Sequence, residues 1–496
     1  MTQTTSYVKT LAGTVRGIQR EGSAAFLGIP FAEAPIGDLR FAAPVPHASW
    51  AGVRDATGYG ATPQRQALSE VTLIPEPSVP GESTLNLNVF TPRPGETGAK
   101  LPVLVWIHGG GYVSGSGASP WYDGASFNRD GIVTVSVSYR LGFDGFGWIR
   151  DAPQNRGVLD WILALEWVRD NITSFGGDPS RVTIAGQSAG GGAVLTLLAV
   201  PRAARLFRQA ISLSGATSDL PLADAERLGH LMAQRAGVEP TRAGLSVLGE
   251  DRILELQNQI GDVRGSSDQS EDPLPGIVAL ASDGLKWGPV VDGDLLPAAA
   301  MHAARRGIGN DKRLMIGTTD NEFNMVLAPH EEALTATDPA PVLSALGLSG
   351  GVINAYLQEH PGLTPAQIIG QVVTDKMFRA PARNLAEARA EAGAPAWLYR
   401  FSWPSPTIGG ACHCIDVPFF FDCLDSERVE ALTGPNPPAA LAGKLHSAAV
   451  QFIAGCQPGW PAYDTDTREV RIFDAVSTVK SDGYADAALL TDAALT

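Results

Sequence analysis

Three features of this 496-residue chain predict an α/β fold, with a large, mostly parallel central sheet and helices on both faces. Strand-like apolar runs alternate with helical patterns along most of its length, the arrangement that lays parallel strands side by side and returns the chain through covering helices. A glycine-flanked serine turn, Gly186-Gln187-Ser188-Ala189-Gly190, stands between one such strand and one such helix. The composition, 44% hydrophobic and 18% charged, is that of a globular protein long enough to bury a large core.

In chain order, the first sixty residues read as short strands and turns. Leu101–Ile107 is a strand-like run ending in His108-Gly109-Gly110-Gly111, and a second run covers 132–139. Leu159, Ile162, Leu163, Leu165, Trp167 and Val168 give 157–174 a helical period, stopped at Gly176-Gly177-Asp178-Pro179. The strand at 181–185 leads into the serine turn, and the apolar stretch 191–200 forms the helix after it. Further strands are expected at 210–213, 314–317 and 397–401, and a helix at 440–454. A last strand is expected at 468–473. The polar, proline-containing stretch 263–283 predicts a mobile loop, and the tail beyond Lys480 a frayed end. No internal repeat or clean linker appears, so 1–496 reads as one domain with insertions.

Composition excludes several function classes. A net charge of −15 without a Lys/Arg-rich run argues against nucleic-acid binding, which needs a basic surface to displace phosphate counterions. No run of about 18 apolar residues suggests a membrane span, and the first residues lack the basic start and apolar stretch of a secretory leader, an expectation of cytoplasmic location. Four cysteines, Cys412, Cys414, Cys423 and Cys456, are too few for a disulfide framework. Cys412-His413-Cys414 lacks the second spaced pair that would complete a tetrahedral zinc site, so no metal and no cofactor are expected.

The chemistry sits in the serine turn. A sharp strand-to-helix turn lifts the Ser188 hydroxyl clear of the sheet and aims it over a helix N-terminus, and glycines on either side relieve the crowding. A hydroxyl is a poor nucleophile at neutral pH, so a base must take its proton and a third group must hold that base in one tautomer. Of eight histidines, His413 stands out because it lies in a Gly-rich loop after a strand, downstream of both the serine and a candidate acid. The acid follows the strand at 314–317, where Asp320 and Glu322 both qualify. His108-Gly109-Gly110-Gly111 suits an oxyanion hole, since acyl transfer develops charge on a carbonyl oxygen that backbone N–H groups must already face. The lysine and Ser/Thr of a phosphate loop are absent there.

These residues resemble the type-B carboxylesterases, a branch of the α/β hydrolases that includes para-nitrobenzyl esterases and carbamate (phenmedipham-like) hydrolases. The likeness runs through Gly28-Ile29-Pro30-Phe31-Ala32, Gly37-Asp38-Leu39-Arg40-Phe41, Leu85-Asn86-Leu87-Asn88-Val89 and Val105 to Gly111. It continues in Ser138-Tyr139-Arg140-Leu141-Gly142, Phe175-Gly176-Gly177-Asp178-Pro179 and the serine turn. The resemblance implies an α/β-hydrolase fold, Glu322 rather than Asp320 as the acid, and His413, followed by Asp416 and Pro418, as the base. It implies Gly110, Gly111 and Ala189 as oxyanion donors, Ser214 as a hydrogen-bonding support, and ion pairs Arg40–Glu82 and Arg140–Asp160.

Departures from the family pattern are informative. Gln187 stands where the family usually has Glu, which removes a carboxylate beside the nucleophile and argues against choline esters. Asn321 and Phe323 replace the usual Asp and Gly around the acid, and Ser83-Thr84 replace Asp-Cys, removing a disulfide cysteine. The reading is therefore a serine carboxylesterase for small neutral esters, aryl or short alkyl, with carbamate or anilide hydrolysis on the same triad as the alternative. A non-catalytic binding protein on this fold would have lost a triad member. Trp106, Tyr112, Trp121, Tyr122 and Phe143 are candidate aromatic walls for an aryl group, against the ordinary role of core packing. Oligomeric state is not legible.

Overall fold

The computed structural model describes residues 4–63, 65–66, 72–215, 219–261 and 274–490. Its strands are β1 (Thr5–Lys9), β2 (Thr14–Arg20), β3 (Ser23–Pro30), β4 (Val53–Asp55), β5 (Asn86–Thr91), β6 (Leu101–Ile107), β7 (Val133–Val137) and β8 (Gly177–Gln187). They continue with β9 (Gln209–Leu213), β10 (Leu220–Pro221), β11 (Val290–Val291), β12 (Arg313–Thr319), β13 (Ala396–Phe401), β14 (Glu469–Phe473) and β15 (Thr478–Ser481). Among the described residues one large sheet runs in the order β1-β2-β3-β5-β7-β6-β8-β9-β12-β13-β14-β15, with β4 on β2, while β10 and β11 pair separately.

From β7 through β14 every neighbouring pair is parallel, as the alternation of strands and helices requires. The N-terminal meander β1-β2-β3-β5-β7 and the final β14-β15 hairpin are antiparallel, so the sheet as a whole is mixed.

Strand pleating explains why the parallel strands read as continuous apolar runs. Val103, Val105 and Ile107 of β6 join a core that also takes Val158, Trp161 and Ile162 from the helix Arg156–Asn171 and Ala193, Val194 and Leu197 from the helix Ala189–Ala199. Leu104 and Trp106 point to the opposite face, into a core shared with Leu445, Ala449 and Phe452 of the helix Ala439–Ile453. Both faces are covered, so the strands are buried along most of their length, and even the alternating Thr134 and Ser136 of β7 are buried. A third core lies in a helical insertion between β12 and β13, built on Leu343, Ile353, Tyr356, Ile369 and Val372.

Two local expectations are corrected. Leu274–Asp283 is a helix rather than a loop, because Ile277 and Ala281, four residues apart, bury one face in the third core. The remainder of the predicted loop, 263–273, lies outside the described residues. The tail past Lys480 is anchored through residue 490: Ala487 and Leu490 are buried, and Asp486 pairs with Arg379 at 2.6 Å. Residues 491–496 lie outside the described residues.

The ion pairs divide. Arg140 pairs with Asp160 at 2.7 Å in a dry interior, and Asp160 also accepts from the Arg140 backbone N–H. Arg40 does not reach Glu82, which is exposed; its guanidinium pairs with Asp144 at 3.0 Å and spans to the Leu248 carbonyl.

Candidate active site

The residues singled out in the sequence converge at the C-terminal ends of neighbouring parallel strands, where loops of an open α/β sheet meet. Ser188 follows β8 with φ 58° and ψ −125° and caps the helix Ala189–Ala199. Few non-glycine residues adopt this conformation, and the surrounding packing holds it. A Cβ on Gly190 would lie 2.0 Å from the Ile107 carbonyl oxygen, and one on Gly186 would lie 2.4 Å from the Gly190 backbone, so only glycine fits at either position. Ser188 N–H donates to the Leu213 carbonyl (2.9 Å), which ties the turn to the end of β9. Ser188 is partly exposed, and its Oγ makes no hydrogen bond among the described residues.

Ile107 of β6 stands in register with Gly186 of β8, which brings the glycine turn after β6 against the serine. A Cβ on Gly109 would come within 3.1 Å of Ser188 Cβ. Gly110 and Gly111 have φ of 110° and 60°, and their N–H groups have no acceptor among the described residues. The Ala189 N–H is in the first helical turn, where the helix itself supplies no acceptor. Three backbone N–H groups without a described acceptor thus lie in the turn beside the serine and at the start of the helix after it. His108 is fully buried and stacked on Tyr139, with its Nδ1 on the Gly109 carbonyl (2.8 Å). Burial pushes its pKa down to about 4 against the pull of that carbonyl, with Arg65 adding to the depression, so the ring is neutral and serves the turn as a structural donor.

The candidate acid and base come from two loops zipped together. Asn321 N–H donates to the Ala411 carbonyl (2.9 Å), Ala411 N–H to Asn321 Oδ1 (3.1 Å), and His413 N–H to the Glu322 carbonyl (3.1 Å). Asn321, the departure from the family pattern, is therefore a splint between them. Glu322 is wholly buried; its Oε1 accepts from Thr319 N–H (2.8 Å) and its Oε2 faces His413 Nδ1 at 2.6 Å. Asp320 points elsewhere, into an ion pair with Arg400, so of the two candidate acids only Glu322 meets the histidine. His413 Nε2 lies 3.1 Å from the Gln187 amide nitrogen. With Nδ1 donating to Glu322, Nε2 is free to accept from that amide. Burial opposes a charge on the ring, but the Cys414 sulfur and the Glu322 carboxylate beside it raise its pKa well above the usual imidazole value.

Ser214 ends β9 with φ 46°. Its N–H donates to the Gly317 carbonyl (2.8 Å), while its Oγ is buried without a hydrogen-bond partner among the described residues. Cys412 and Cys414 lie in the core beside His413, as space-filling thiols would, and burial pushes the Cys412 thiol well above its ordinary pKa. Among the described residues no group of three or more His, Cys, Asp or Glu is placed to hold a metal ion, and no helix is long and apolar enough to cross a membrane.

The five aromatics near the motifs take the ordinary role of core packing. Trp106, Tyr112, Trp121, Tyr122 and Phe143 are all buried in cores, on inward-facing positions of β6, the glycine turn after it and the short helices Pro120–Tyr122 and Gly142–Phe146. Phe323 and Phe378 flank His413 instead, with ring centroids 5.4 and 5.1 Å from the imidazole, and stack on each other at 5.5 Å. Phe378 comes from a π-helical turn, Asp375–Arg379, far from any motif, and no sequence signal marks it. Asp416 was visible only as part of the histidine loop. It is buried beside the acid, with Oδ2 accepting from Tyr399 (3.0 Å), and burial together with the charge of Glu322 pushes its pKa up to about 7.

Known proteins share this architecture over nearly the whole chain. The family model described as the carboxylesterase family matches residues 4–458. The chain is 33% identical to the para-nitrobenzyl esterase of Bacillus subtilis (strain 168), covering 96% of each protein. It is 32% identical to the phenmedipham hydrolase of Pseudarthrobacter oxydans over 93% of this chain and 94% of the relative. The crystal structure of a Geobacillus stearothermophilus carboxylesterase superposes with a TM-score of 0.84 at 30% identity, covering 99% of this chain and 100% of the other. With the fold, the serine turn and the full-length similarity in agreement, the chain belongs to the carboxylesterase family and is a carboxylic ester hydrolase.

Proposed function

We propose that Ser188, His413 and Glu322 form the catalytic triad, that Gly110, Gly111 and Ala189 form the oxyanion hole, and that the substrates are small neutral esters with aryl or short alkyl groups. The observation that carries the assignment is the 2.6 Å contact between buried Glu322 and His413 Nδ1, which makes Nδ1 the donor and Nε2 the basic nitrogen of the ring. In the first step His413 Nε2 takes the Ser188 proton as Oγ bonds to the ester carbonyl carbon, and the three N–H groups receive the negative oxygen. The imidazolium, stabilised by Glu322, returns the proton to the leaving alcohol oxygen as the C–O bond breaks. Water then attacks the acyl-enzyme with His413 again as base, releasing the acid and restoring Ser188.

Two features support neutral, aryl-tolerant substrates. Gln187 puts an uncharged amide next to the serine, where a carboxylate would attract a cation. Phe323 is partly exposed beside His413, with one face stacked on Phe378, and offers an aromatic surface to an acyl or alcohol group. Ser214 and Gln187 are proposed in supporting roles, Ser214 by tying β9 to β12 through its backbone and Gln187 by holding the imidazole at Nε2 in the resting site, a contact it gives up when that nitrogen takes the Ser188 proton. The phenmedipham hydrolase relative makes carbamates the second class to test.

The test is covalent labelling by an organophosphate together with initial rates over aryl and alkyl esters, carbamates and anilides. Wild type should be labelled and Ser188→Ala should be neither labelled nor active. An unlabelled wild type that still turns over esters would remove Ser188 as nucleophile.

A further inference from the structure

The glycine turn after β6 is gripped from outside by a carboxylate that belongs to none of the family motifs. Ser114 Oγ donates to Glu76 Oε2 at 2.8 Å, and Gly115 N–H donates to the same oxygen at 3.0 Å. Glu76 is in turn held by Arg65, whose side chain is only 4% exposed. Its Nε lies 3.5 Å from Oε2, and its remaining donors bind the carbonyls of Pro63, Glu76 and Pro77. The arms of this loop are joined at Thr62 and Val79, and Ser116 Oγ donates to the Pro77 carbonyl at 2.9 Å. Arg65 and Glu76 thus form an ionic clasp on the outside of the turn.

The clasp reaches the site by a short covalent route. Ser114 N–H and Val113 N–H both donate to the Gly110 carbonyl, at 2.9 and 3.1 Å. A trans peptide points its C=O and the following N–H in opposite directions. Pinning the Gly110 carbonyl to residues 113 and 114 therefore aims the Gly111 N–H the other way. The turn is also crowded: a Cβ on Gly110 would meet the Ser114 carbonyl at 2.3 Å, so motion of Ser114 is transmitted rather than absorbed.

We propose that Glu76 is a positioning residue for the oxyanion hole, acting as a hydrogen-bond acceptor that fixes Ser114 and, through it, the Gly110–Gly111 peptide. The inference rests on the reading of Gly110 and Gly111 as oxyanion donors. Its role is realised in the transition state, where charge reaches the carbonyl oxygen, and so separates kcat from KM. Donor misplacement by a fraction of an ångström to 1 Å makes the expected loss about 10- to 100-fold in kcat.

The experiment compares Glu76→Ala, Glu76→Gln and Ser114→Ala with wild type. It measures kcat and KM on a para-nitrophenyl ester, Ki for an aryl trifluoromethyl ketone, and active sites counted by organophosphate labelling. The ketone forms an oxyanion on the serine, so its Ki reads the hole directly. Glu76→Ala should lose about 10- to 100-fold in kcat per labelled site and a similar factor in Ki, with KM within about threefold. Glu76→Gln keeps a carbonyl acceptor and should stay within about fivefold of wild type. Equal kcat per labelled site in Glu76→Ala, a loss confined to KM, or a Gln variant as slow as the Ala variant overturns the proposal. If Glu76→Ala does not fold, Ser114→Ala carries the test, because it removes the side-chain half of the link, leaving only the Gly115 N–H on Glu76, and keeps the Arg65–Glu76 pair intact; unchanged kcat and Ki there overturn the role of Ser114 and with it the proposal. A wild type that is labelled but does not bind the ketone removes the oxyanion reading beneath it.

Discussion

Replacing Glu322 by glutamine tests the central electrostatic pair with nearly the same shape. The carboxylate is wholly buried and its Oε2 is 2.6 Å from His413 Nδ1. When His413 takes the serine proton, the two charge centres stand about 4 Å apart, worth roughly 4 kcal/mol at an effective dielectric of about 20. The amide removes that term and leaves the imidazolium unpaired in the interior. At about 1.4 kcal/mol per decade, kcat/KM for a neutral aryl ester should fall by about three orders of magnitude. A second signature is the pH profile. The base works only when neutral, so activity rises with pH through the His413 pKa, which the wild-type environment raises above the usual imidazole value. The acid limb of wild type therefore lies above about pH 6.5, and loss of the carboxylate moves it to lower pH. The assay is kcat/KM between pH 5 and 9, with labelled sites as the denominator. A fall of less than tenfold, or a limb that stays in place or moves upward, refutes the reasoning.

Three other substitutions probe separate parts of the site. Gly190→Ala puts a methyl 2.0 Å from the Ile107 carbonyl, and should displace the serine turn and cut organophosphate labelling by at least about 100-fold while circular dichroism stays native. Gln187→Glu introduces a carboxylate at the position 3.1 Å from His413 Nε2, which raises the imidazole pKa further; the acid limb should move upward and KM for a choline ester should fall relative to its neutral isostere. Asp416→Asn replaces a buried acid whose pKa is about 7 in the fold against about 3.9 unfolded. A raised acid pKa means that wild-type stability is present at low pH and lost as pH rises from about 4 through 7. Denaturant midpoints should therefore fall less between pH 5 and 8 in the variant than in wild type, and equal slopes would count against a neutral Asp416.

What was legible in the sequence follows from which constraints are local. The serine turn could be read because its two glycines answer clashes with residues a few positions away or on the adjoining strand, and the parallel strands because burial on both faces leaves unbroken apolar runs. Arg140–Asp160 was legible only through family resemblance, and the same resemblance failed at Arg40, whose partner Asp144 stands on the short helix Gly142–Phe146 directly after the Arg140 segment. Phe378 and Glu76 were illegible for a different reason. Each matters through a contact with a residue more than 30 positions away, and neither lies in a pattern of its own. The helix Leu274–Asp283 was hidden because its apolar spacing is short and polar residues surround it.

The charges around His413 also constrain one another. Glu322 and Asp416 are both wholly buried, and one imidazole can balance only one negative charge. Glu322 has the better claim: it accepts from Thr319 N–H as well as meeting the ring, whereas Asp416 accepts only from Tyr399 and has one oxygen without a partner among the described residues. Two carboxylates in a dry site repel, so the proton settles on the one with fewer donors. The fold in this way shifts the ionisation of Asp416 upward toward pH 7 while Glu322 faces Nδ1. Ionisation of Asp416 would add a second negative charge near His413 and raise the imidazole pKa further, so keeping the proton on Asp416 favours the neutral ring that the proposed mechanism needs.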